Sequence, residues 1–86
     1  MSDMIDNADE SRFELHVDSH VAYADYRRQG NDLYIDYVFA PVPLRGTGAS
    51  GRLMADIQQL AVAQGLKIIP ICGYAATWLR RHAPKT

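Results

Sequence analysis

Cys72 is the only side chain in this sequence that offers nucleophilic chemistry at neutral pH. It stands between an apolar run, Lys67-Ile68-Ile69-Pro70-Ile71, and a stretch with helical character. A helix N-terminus at that place lowers a thiol's pKa, whereas simple burial makes the same residue a small hydrophobe. The second chemical feature is Pro41-Val42-Pro43-Leu44-Arg45-Gly46-Thr47-Gly48-Ala49-Ser50-Gly51. Its prolines stop a strand because neither can donate a ladder hydrogen bond. Its glycines let the backbone turn tightly and come close to a ligand. From Ala49 onward the residues read as helix, so the first N–H groups lack internal partners and the dipole makes that end positive. Such a turn either seats a phosphate or only supplies the dihedrals of a sharp corner.

The kind of phosphate can be narrowed. A Walker A loop needs a lysine after its last glycine, and none is near. Gly46-Thr47-Gly48-Ala49-Ser50-Gly51 matches the dinucleotide pattern G-x-G-x-x-G letter for letter. That fold also needs an acidic residue about 20 positions further on, and Leu66 to Cys72 contains no carboxylate. Several strands precede the loop instead of one, so a nicotinamide cofactor is excluded.

These residues need elements to position them. Eighty-six residues make one domain, and 48% hydrophobic with 22% charged residues fits a globule rather than a disordered chain. A net charge of −1 gives no electrostatic footprint for nucleic acid, and no apolar run approaches the ~18 residues of a membrane span. A single cysteine excludes an internal disulfide, and no metal site is expected. Residues 1–11 are acidic and polar, without the basic start and apolar middle of a signal peptide, and are expected to form a disordered tail on a cytoplasmic protein. Residues 12–86 are expected to form a single domain.

Within it, Arg12 to Asp18 alternates as a half-buried strand with Phe13, Leu15 and Val17 inward. His16 is then a solvated strand-face histidine, since nothing near it in sequence orients it for proton transfer. Val21 to Arg28 is a second strand, and Gln29-Gly30-Asn31 a hairpin turn. Asp32 to Phe39 is a third, with Leu33, Ile35, Tyr37 and Phe39 on one face. The tyrosines Tyr23, Tyr26, Tyr34 and Tyr37 are read as packing residues of this meander. Gly51 to Gln64 carries Leu53, Met54, Ile57, Leu60 and Ala61 at helical spacing, and Gly65 closes it. Lys67 to Cys72 reads as a strand buried on both faces and parallel to the third, with Pro70 as its oddity. A last helix runs from Tyr74 or Ala75 to His82. The fold class is α/β (α+β), in the order β-β-β-α-β-α.

Arg45-Gly46-Thr47-Gly48-Ala49-Ser50 resembles the Arg/Gln-x-x-Gly-x-Gly/Ala loop of the GNAT N-acetyltransferase superfamily. Ile69-Pro70-Ile71-Cys72 and Trp78-Leu79-Arg80-Arg81-His82 are similar to the minimal, YjdJ-like branch, and the resemblance spans Phe13 to His82. It implies a minimal GNAT-like fold with a splayed last strand, and acetyl-CoA or coenzyme A as cofactor. Backbone N–H groups of Gly46, Thr47, Gly48, Ala49 and Ser50 would hold the pyrophosphate, and Arg45 would add charge. Main chain at Val38, Phe39 and Ala40 would pair with the pantetheine amides. Cys72 takes the place of the proposed active-site residue, as nucleophile or base, and Tyr74 becomes a proton donor to the leaving thiolate or an aromatic lid. Many YjdJ-like proteins carry a His-Thr-acid run where this chain has Tyr37-Val38-Phe39, so no histidine base carries over. His82 lies a helix away from Cys72. The implied function is acetyl transfer from acetyl-CoA to an amine, on a small molecule or a protein. The alternatives are an acyl-CoA-binding module without turnover and a bare interaction domain.

Overall fold

The computed structural model describes residues 4–82. Its elements are β1 (Met4–Asn7), β2 (Arg12–Val17), β3 (His20–Gln29), β4 (Asp32–Phe39), α1 (Ala49–Gln64), β5 (Lys67–Pro70) and α2 (Gly73–Arg81). Single 3-10 turns precede β2, at Ala8–Glu10, and the glycine loop, at Val42–Leu44. The five strands form one sheet in the order β1-β2-β3-β4-β5. Neighbours β1 to β4 are antiparallel, and β5 joins β4 in parallel, so the architecture is α+β with a mixed sheet. Asp18 and Gly30 take positive φ in the two hairpin turns, values that aspartate tolerates and glycine adopts without cost.

Residues 4–10 depart from the tail expected for 1–11. Met4 to Asn7 pair with Leu15 to Arg12, and Asn7 caps the turn by accepting the Glu10 N–H. Polar composition hid this strand, because Met4 is its one apolar residue packed against the core. Residues 1–3 lie outside the described residues.

Both helices lie on the same face of the sheet. Phe13, Leu15, Ala22, Ala24, Leu33 and Ile35 meet Leu53, Met54 and Ile57 of α1 and Ala75 and Trp78 of α2 in one core. Gly65, at φ +67, turns the chain after α1, and its N–H and that of Leu66 return to the last helical carbonyls. The opposite sheet face carries no helix among the described residues.

Two further expectations change. Leu33, Ile35, Tyr37 and Phe39 do not share a face, because Ile35 pairs with Tyr26 while Tyr37 pairs with Asp25. Asp36 is the extra residue of a bulge, and one extra residue reverses which side each later side chain meets. Leu33 and Ile35 therefore stay in the core, Val38 and Ala40 pack against it, and Tyr37 is half exposed on the open face. Likewise, β5 is a half-buried edge strand of four residues rather than a strand covered on both faces. That accounts for Pro70, which an edge accommodates.

Candidate functional site

The glycine loop is held from below and open above. Leu44 is buried, and its carbonyl accepts the Thr47 N–H at 3.2 Å and the Thr47 hydroxyl at 2.5 Å. Gly46 and Gly48 sit at φ +80 and +84, in the left-handed region. A Cβ at either would meet no protein atom within 4 Å, so the space above both is free. Thr47 Oγ1 accepts the Ala49 N–H at 3.3 Å. Of the loop N–H groups, those of Thr47 and Ala49 are therefore used internally. Those of Gly46, Gly48, Ser50 and Gly51 have no partner among the described residues. They surround a concavity of about 240 Å³ lined also by Ala40, Arg45 and Tyr74. Unpaired donors at the N-terminus of a 16-residue helix are an anion seat.

Beside this loop the sheet comes apart. Pairing of β4 with β5 ends at Ile35 and Pro70, so residues 36–39 of β4 have no β5 partner. The Ile71 and Cys72 N–H groups both turn back to the Ile35 carbonyl, at 3.0 Å each. Val38 and Phe39 pair only toward β3. The Ala40 carbonyl accepts Arg45 Nε at 3.0 Å, which spans the end of β4 and the loop. Arg45 is exposed, with the rest of its guanidinium unengaged among the described residues.

Cys72 is the N-cap of α2, half-buried against the core, and its side chain makes no capping bond. Tyr74 is 43% exposed at the loop concavity. Burial, and then the nearby Cys72 charge, push its hydroxyl pKa up, so it keeps its proton at neutral pH. His82 closes the other end of α2, stacked on Trp78 at 4.0 Å and donating from Nδ1 to the Trp78 carbonyl. A nine-residue helix separates it from Cys72. The structure thus brings together Ala40, Arg45, Gly46, Gly48, Ala49, Ser50 and Tyr74, places Cys72 at the adjoining strand end, and leaves His82 apart.

The open sheet face holds what sequence reading missed. Glu14 is 7% exposed yet charged: its carboxylate accepts from Asn7 and Arg12 and meets His16 Nε2 at 2.9 Å. The His16 contact first, then Asn7 and Arg12, hold its pKa down to about 2. His16 is therefore oriented by Glu14, against the expectation that nothing near it does so. Alternation along β2 was the signal, since it puts Arg12, Glu14 and His16 on one side. Tyr23, Tyr37 and Phe39 form a cluster of rings, with centroids 5.2 Å apart for Tyr23 and Phe39 and 6.4 Å for Tyr37 and Phe39. The Arg12 guanidinium lies 4.7 Å over the Tyr23 ring. Of the four tyrosines read as packing, only Tyr26 is buried, stacked on Phe13 with its hydroxyl donating to Asp6.

No helix among the described residues is long and apolar enough to cross a membrane. No group of three or more metal-ligating side chains occurs among them. None of the curated proteins compared matches the chain. The family described as GCN5-related N-acetyl-transferase matches residues 12–85.

Proposed function

Since the chain belongs to the GCN5-related N-acetyl-transferase family, a family of acyl-transfer proteins, we propose that it moves an acetyl group from acetyl-CoA to an amine. The observation that carries this reading is the ring of unpaired N–H groups at Gly46, Gly48, Ser50 and Gly51 around an open concavity. Neutral donors at a helix start suit a pyrophosphate, and Arg45 adds a charge at its rim. Main chain at Val38, Phe39 and Ala40, free on the side that β5 has left, would take the pantetheine arm as an added strand. The Arg45 bond to Ala40 would then have to yield that carbonyl.

Bound acetyl-CoA supplies an activated thioester. Donors at the strand end would polarise its carbonyl, and one such donor is worth about 10²–10³ in rate. Cys72, at a helix N-terminus, would take the acceptor's proton or act as nucleophile. Tyr74 holds a proton at neutral pH and could deliver it to the leaving sulfur. The order of motifs favours the YjdJ-like branch of the family.

A second reading, a CoA-binding module with little or no turnover, draws on one feature. The Cys72 side chain has no hydrogen-bonded base beside it among the described residues. Release of free CoA from acetyl-CoA with a mixture of amines separates the two, and calorimetric CoA binding tests both. Turnover is the expected result. Binding without release would leave the second reading, and absence of binding would sink both.

A further inference from the structure

The open face of the sheet holds two half-buried carboxylates, Asp25 and Asp32, whose side chains have no partner among the described residues, and Asp25 is the one beside the rings. Asp25 lies on β3 between Tyr23 and Arg27, across from Arg12 on one side and Tyr37 on the other. It makes no ion pair or hydrogen bond among the described residues, whereas its charged neighbours are engaged. Arg12 and His16 are committed to Glu14, and Arg27 is bidentate on Asp36 at 2.7 and 2.9 Å. Around the rings, Arg12 and Arg27 stand against Glu14, Asp25 and Asp36, and of these five Asp25 alone has no ion pair among the described residues. The rings already show what they attract: Arg12 lies over Tyr23 and Arg27 over Tyr34, at 4.7 and 4.8 Å. Tyr37, half exposed, has no such cation among the described residues.

We propose that Asp25, Tyr37 and Phe39 hold the charged end of an acceptor that is a small α,ω-diamine, with its other nitrogen at the gap beyond Pro70. This rests on the acyl-transfer reading given above. The attacking nitrogen must be neutral, so a positive charge bound by Asp25 belongs to a second amine. Tyr37 stands between Asp25 and the gap, on the strand that lines it. At about 4.8 Å between strands, one and a half spacings from β3 give about 7 Å, roughly the separation of two nitrogens joined by four or five methylenes. The first nitrogen forms the new N–C bond as the thioester C–S bond breaks. Its proton leaves to the Cys72 thiolate or solvent, and CoA departs as a thiolate that takes a proton from Tyr74 or solvent to become the thiol. The second nitrogen stays an ammonium throughout.

The test compares 1,4-diaminobutane and 1,5-diaminopentane with 1,2-diaminoethane and butylamine as acceptors, by free CoA release. The same amines are titrated into isotope-labelled protein without acetyl-CoA, following the amide signals of Tyr23, Asp25, Tyr37 and Phe39. CoA binding is measured separately by calorimetry. We expect kcat/KM for the longer diamines to exceed that for butylamine about tenfold, with saturable shifts at those four amides. Asp25→Asn should erase the preference through KM and leave CoA affinity as it was. Asp32→Asn, at the far end of β4, should keep it. Equal use of diamine and monoamine, or a preference that survives Asp25→Asn, overturns the inference while acyl transfer stands. If CoA binds without turnover, the amide titration decides: saturable shifts lost in Asp25→Asn support the diamine site, and their absence overturns it.

Discussion

The two ends of the sheet treat their polar groups in opposite ways. Where β1, β2 and β3 meet, a nearly buried carboxylate is surrounded by three partners, and the Tyr26 hydroxyl finds Asp6 at 2.6 Å. Where β4 and β5 part, four loop N–H groups and one edge of residues 36–39 have no partner among the described residues. Backbone donors are ordinarily paired in native structures, so unpaired ones at an open concavity need a reason. The first region spends its polar groups on holding β1 to the sheet. The second keeps them for a ligand.

The sharpest way to break this contrast is Gly48→Val. A side chain there would fill the empty space above the loop and strain a residue at φ +84. Coenzyme A binding should disappear in calorimetry while circular dichroism stays native, and unchanged affinity would mean the loop is only a corner. Next in size comes Cys72→Ala, expected to slow acetyl transfer by about 10²–10⁴ with CoA affinity kept. Alkylation of Cys72 that is no faster than that of free cysteine, and is unprotected by CoA, would remove the thiol from the site.

The paired end gives a different signature. Glu14 titrates near 2 in the folded chain against an ordinary 4.5, so its ionised form adds stability above pH 4.5 that is lost as pH falls toward 2. Glu14→Gln should lower unfolding free energy at pH 7 by about 2 kcal/mol and flatten the acid limb in that window, without touching CoA binding. An acid limb as steep as in the parent would place the protection elsewhere. Arg45→Ala is the smallest change, about a tenfold loss of CoA affinity, one charge-assisted bond. A loss of several thousandfold would shift the phosphate site from backbone to side chain.

What could be read in advance followed from local rules. Strict alternation placed β2, and Asp32 to Phe39 bounded β4 at both ends. Glycine at positions of positive φ located the loop and the end of α1. The misses share a cause, since each was decided by a neighbouring strand. Asp36 bulges because β3 pairs as it does, which moved Tyr37 and Phe39 to the open face. Met4 to Asn7 became a strand because β2 offered an edge. His16 gained an orienting carboxylate only once β2 was extended and Glu14 was enclosed by Asn7 and Arg12. The loop residues of the candidate site were legible because their chemistry is main-chain and local. Asp25 was not, because its interest lies in having no partner among the described residues.

The outermost strands have a consequence for the behaviour of the chain in concentrated solution. A sheet that ends in exposed strands is a template on which further chains can stack through their backbones. Among the described residues both borders are four residues long. One carries Asp6, and the other opens with Lys67 and stops at Pro70, which can donate nothing. Short borders marked with charge and proline discourage edge-to-edge growth. The same proline that ends the pairing of β5 with β4 therefore also guards the protein against aggregation, and exchanging it for valine would hand that border a donor for chain-to-chain pairing.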